Sequence, residues 1–130
     1  MTIEAEKQSK KLPERKKSFI IKDNTYDVEF PNTGGLLDIE VLKAQLSRGQ
    51  YNEILSSGTI RSNYVRALID MISTFTVLFP KLKKDMNVSS ISELKPEDSK
   101  VLLKVYLDKV NPWLKEWEEY LNSDDEDQKE

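Results

Sequence analysis

Proton transfer and nucleophilic attack near neutral pH fall mostly to imidazole and thiol groups, and this chain of 130 residues has no histidine and no cysteine. Paired carboxylates, an activated lysine or a carboxylate metal site remain as ways to catalyse, and each would leave acids or lysines at core-facing spacing. Asp70 is the one acid inside the most apolar segment, residues 60–79, and Arg66 stands four positions before it. That spacing reads as an exposed ion pair on a helix and not as a general base. Gly34-Gly35 precedes a helix start, but a phosphate loop would want more glycines and a following Lys or Ser/Thr, and Asp38 would repel the anion. The acidic run 124–130 lacks the glycine at the sixth place and the closing glutamate of a calcium loop. The expectation is a protein that is not an enzyme, with no cofactor, no metal and no small-molecule substrate.

The side chains left to carry function are aromatic. Trp and Tyr anchor protein interfaces because they bury large area at the loss of few rotamers. Tyr106, Trp113, Trp117 and Tyr120 are therefore the candidate partner-binding residues. Tyr106, Trp113 and Tyr120 recur at sevens beside a seam of coiled-coil type, Leu103, Leu107, Val110, Leu114, Trp117 and Leu121. Two tryptophans at i and i+4 also suit a core. The two faces are adjacent, so packing one inside leaves part of the other showing.

These residues need a scaffold, and the pattern predicts a mainly helical (α+β) domain with one N-terminal β-hairpin. Phe19 to Phe30 holds two β-prone runs around Asp23-Asn24, a pair that tolerates a hairpin turn. Pairing Ile21 with Tyr26 and Phe19 with Val28 puts Phe19, Ile21, Tyr26 and Val28 on one face. Pro31 ends the second strand, Asn32 to Gly35 reads as a turn, and Asp38 caps a short helix carrying Ile39, Leu42 and Leu46, with Gly49 ending it. Thr59 caps the next long helix, whose apolar residues from Ile60 to Phe79 cover more than half its circumference and predict a buried centre. Pro80 stops that helix, and residues 81–90 read as polar and irregular. Lys95-Pro96-Glu97-Asp98 starts the last helical segment, within which Pro112 predicts a kink or a break, since it removes the bond to the Asp108 carbonyl.

Charge divides the chain into three. Residues 1–17 carry six Lys/Arg against three Glu, residues 122–130 five Asp/Glu against one Lys, and the span 18–121 is left near neutral within a total of −3. The ends read as a disordered basic arm and a disordered acidic tail around a single domain at 18–121. A near-neutral middle and a pI near 5.2 argue against a dedicated nucleic-acid binder, although Lys10, Lys11, Arg15, Lys16 and Lys17 could touch phosphates. No run approaches the ~20 apolar residues of a membrane helix, and the start lacks a signal-peptide pattern, so the expected place is the cytoplasm.

The order of parts, a hairpin with Tyr26-Asp27-Val28-Glu29-Phe30, then compact helices, then a charged C-terminal extension, resembles the small tail assembly chaperones and neighbouring virion proteins of tailed bacteriophages. The phrase Val110-Asn111-Pro112-Trp113-Leu114-Lys115-Glu116-Trp117 resembles the ending of phage-encoded proteins. The resemblance spans residues 19–121 in outline and carries no residue across by position. It implies non-catalytic work: a chaperone that coats tail components before polymerisation, or a small structural subunit of the particle's neck or tail. Either would use a phage tail or head protein as partner, and a homo-oligomer would fit the second.

Overall fold

The computed structural model describes residues 12–123, so the expected disorder of 1–11 and of 124–130 lies outside the described residues. The architecture is mainly helical, with a two-stranded antiparallel hairpin at the N-terminal side. Strand β1 (Lys16–Ile21) pairs with β2 (Asn24–Glu29). The loop is Lys22-Asp23, at φ 49° and 71°, and not Asp23-Asn24. Phe19 therefore faces Tyr26, and Ile21 faces Asn24. This slip from the expected pairing is an even number of residues, and side chains alternate with period two, so Phe19, Ile21, Tyr26 and Val28 remain together on the buried face. The observed register also brings the Phe30 amide to the Arg15 carbonyl at 2.7 Å, which extends the ladder by one bond.

Helix α1 (Thr33–Leu46) begins earlier than expected, because the Asn32 side chain, and not Asp38, caps it by accepting from the Gly35 amide at 2.8 Å. The residues expected to form a turn are its first turn. Arg48 and Gly49, both at positive φ, close it. After α2 (Tyr51–Ser57), the Thr59 and Ser62 side chains cap each other's backbone at the start of α3 (Ile60–Leu78). Burial on α3 is confined to its second half, from Ile69 to Leu78, while Ile60 is 91% exposed. The expected buried centre is thus the second half of this helix and not its whole length. The second half packs Phe75 against Phe79 and Tyr106, and Phe79 in turn meets Phe19 and Tyr26 of the hairpin.

Phe79, before Pro80, leaves the helical region at φ −122° and ψ 68°. Residues 81–90, expected to be polar and irregular, hold the short helix α4 (Leu82–Asp85), and a 3₁₀ turn follows at Ile91–Glu93; Leu82 and Ile91 plug the core. Helix α5 (Pro96–Val105) starts at its proline, with Glu97 and Asp98 in the first turn, as the sequence indicates. A π-helical turn, Tyr106–Val110, joins it to α6 (Asn111–Ser123). The wider turn has the Asn111 amide bonding the Tyr106 carbonyl, and Pro112 falls in the next helix's first turn, where its missing N–H is tolerated. No helix among the described residues is long and apolar enough to cross a membrane.

Candidate partner-binding surface

The four aromatic residues singled out for a partner lie mostly inside the molecule. Trp113 is 1% exposed, Trp117 3% and Tyr106 7%, and Tyr120 is half-buried against Trp117, with ring centres 5.9 Å apart. Both indole N–H groups donate to one acceptor, the Glu14 carbonyl, at 2.7 Å and 3.0 Å. Phe30 stacks on Trp117 at 4.4 Å and meets Trp113 edge-on at 5.8 Å, and Tyr106 meets Phe75 edge-on at 6.1 Å. The Arg15 guanidinium lies 5.1 Å over the Trp117 ring. In this conformation Trp113 and Trp117 are out of a partner's reach, and of the four residues only Tyr106, at a groove wall, and half-buried Tyr120 keep any surface to offer. The expected disordered arm is shortened as well, since Glu14 and Arg15 are held on α6 and Lys16 and Lys17 belong to β1.

Of the two adjacent faces, the aromatic one is buried, because its rings remove more apolar area from water than the leucines would. The seam divides in consequence: Leu103, Val110 and Trp117 are buried, Leu114 is half-buried, and Leu107 and Leu121 stay about half exposed at 47% and 50%. Leu114 and Leu121 do not face open solvent alone. With Phe30, Leu36 and Ile39 they line a groove of about 350 Å³ between α1 and α6, with Thr74 and Tyr106 also on its wall. Gly35 permits the tight turn from β2 into α1, since a Cβ there would stand 2.7 Å from the Pro31 Cβ, while the Val77 side chain of α3 would be in ordinary contact at 3.7 Å.

Charged groups edge the groove. Glu40, Lys43 and Glu118 contribute to its lining. Lys43 Nζ lies 3.2 Å from Glu40 and 3.7 Å from Asp70, and Asp70 accepts from the Tyr51 hydroxyl at 2.7 Å. Asp70 is thus largely enclosed, with its side chain 15% exposed, and among the described residues its ion-pair partner is Lys43 and not Arg66. The Arg66 Nε is buried without a hydrogen-bond partner among the described residues. Burial, reinforced by the Asp70 charge and opposed by the Thr74 hydroxyl and Arg66, pushes the Tyr106 phenol up to about 12. Burial and then the bond to Asp70 raise Tyr51 as well. Both phenols stay neutral donors near pH 7, so neither is poised to take or give up a proton there. Among the described residues no group of three or more acids is placed to hold a metal ion.

The groove can therefore enclose apolar side chains and pair charge at its rim. The seam leucines that line it were visible in the sequence only as one of two candidate inner faces. Comparison with known proteins brought no match: no family model, no curated protein and no solved structure is similar to the chain.

Proposed function

We propose that this protein is a non-catalytic binding factor whose α1–α6 groove receives apolar side chains of another protein. The observation that carries the reading is the split seam: Leu114 and Leu121 line a groove with Leu36 and Ile39 while remaining open to solvent. Apolar grooves rimmed by charge are the usual receptors for amphipathic helices.

The narrower reading is an assembly factor of a tailed phage particle, which rests on the order of hairpin, helices and charged extension and on the Val110 to Trp117 phrase. A small structural subunit is its alternative. Binding of purified tail and head proteins to the immobilised chain tests the reading, with Leu121→Glu as the matched control. The reading expects capture by the parent chain at least ~10-fold above the variant, the range for losing one anchoring side chain. Equal capture by both contradicts it. Stoichiometric amounts in purified particles would favour the subunit over the chaperone. Phosphate contact through the basic stretch is a subordinate reading; Arg15 is held over Trp117, and salt-sensitive DNA binding that vanishes on deleting residues 1–11 would support it.

A further inference from the structure

The hairpin has an edge that the other described residues leave unpaired. A two-residue loop makes Ile21 and Asn24 a hydrogen-bonded pair, and the bond from Phe30 to Arg15 continues the same alternation. The amides and carbonyls of Thr25, Asp27 and Glu29 consequently point away from β1. Among the described residues no other backbone group bonds to them. Such a row is a template for another strand.

Two features distinguish this edge from a merely solvated one. A groove of about 260 Å³ runs beside it, bounded by Thr25, Asp27 and Val28 on the strand and by Leu78, Phe79 and Pro80 at the end of α3. The side chains of Thr25, Asp27 and Glu29 stand on the opposite, exposed face of the hairpin, where Lys16 faces Glu29 across the strands and the Ser18 hydroxyl donates to Asp27, so that the face carries two carboxylates against one ammonium and is left with a net negative charge nearest Asp27. A strand laid along the edge would place alternate side chains over Leu78 and Pro80 and the others beside Asp27 and Glu29.

We infer that the open edge of β2 binds an extended segment of a partner protein, about five residues long, in which apolar residues alternate with Lys or Arg, as a third strand. The length follows from Thr25 to Glu29, and the basic residues from the charge they must meet. A second copy of this chain is the poorer occupant: two β2 edges related by a two-fold axis at Asp27 or at Val28 would set Asp27 against Asp27 or against Glu29, and like charges directly opposite are destabilising. The inference shares with the proposed function the premise that the chain binds proteins, but it uses a different surface, so the two fail separately.

Amide hydrogen exchange of the full chain, measured by NMR with a synthetic heptapeptide of alternating lysine and valine, tests it. The expected result is at least about tenfold slower exchange at Thr25, Asp27 and Glu29, unchanged in Leu121→Glu. Two further peptides carry N-methyl groups on the lysine or on the valine amides; one set faces β2 in a ladder, so one peptide must lose the protection and the other keep it. An alternating glutamate–valine peptide should give none. Protection that survives both methylations, or that the acidic peptide reproduces, overturns the inference, as does its absence at millimolar peptide. Protection of the same amides without peptide, growing with protein concentration or lost on deleting residues 1–11, assigns the edge to this chain and also overturns it.

Discussion

Glu14 is a charged residue whose carbonyl matters more than its carboxylate. By accepting from Trp113 and Trp117 together, it satisfies two buried indole donors and fastens the chain ahead of β1 to α6. The same two tryptophans enclose Phe30 and Phe19. Trp113→Ala should cost about 3–5 kcal/mol, the range for deleting a large buried aromatic, whereas Leu121→Glu on the groove wall should change stability by no more than ~0.5 kcal/mol. Urea denaturation of both separates scaffold from surface; a large loss for Leu121→Glu would mean that the groove is held shut by that residue. Asp23, at φ 71° in the hairpin loop, offers the opposite kind of change. Asp23→Gly should stabilise by about 0.5 kcal/mol, because the loop needs positive φ at both central positions and glycine adopts it without steric cost. A drop in the urea midpoint would count against the loop geometry.

The elements show why some of the fold could be read from the chain and some could not. Pro80, Pro96 and Thr59 act through their own backbone chemistry, so their effects on α3 and α5 needed no tertiary information. The hairpin's faces were legible because an even slip in register keeps parity, although the turn itself was misplaced. Asn32-Thr33-Gly34-Gly35 was ambiguous, since an Asn followed by glycines suits a loop as well as a cap; what decided it is Pro31 packing against the Gly35 backbone. Leu82 and Ile91 were missed because an isolated apolar residue in a polar stretch carries no period. The candidate site was half legible: the seam and the aromatic column were both recognised, but which of two adjacent faces turns inward depends on Phe30, Phe19 and Glu14, which come from far along the chain. Gly35→Ala should destabilise by about 1–3 kcal/mol, the cost of overpacking, and should disturb the first turn of α1 where it meets Pro31. Thermal melts with amide exchange on α1 would detect this, and a neutral substitution would show that Pro31 can yield.

At the scale of the whole molecule, α1, α3 and the α5–α6 segment enclose a core with phenols set into it, and their ionisation couples to folding. Tyr106, Tyr51 and Tyr26 are all raised above their unfolded value, each first by burial. The folded state therefore holds these protons where the unfolded chain releases them, so the stability they sustain is complete below pH 10 and is lost as pH rises toward 12. For Tyr106 the shift corresponds to roughly 3 kcal/mol. Urea midpoints taken from pH 9 to pH 12 should fall steeply, and less steeply in Tyr106→Phe; parallel slopes would refute the coupling. No such dependence on these groups is expected near neutrality, which agrees with a body that presents a fixed surface to a partner.

That surface is tested most directly by placing a photoreactive benzoylphenylalanine at position 114 or 121 in cells that make the protein, with position 100 on the exposed side of α5 as the reference. The groove reading predicts one discrete adduct from 114 and 121 and none from 100, suppressed by excess parent protein and not by excess Leu121→Glu. Adducts of equal yield from all three positions, or suppression by both competitors alike, would contradict it.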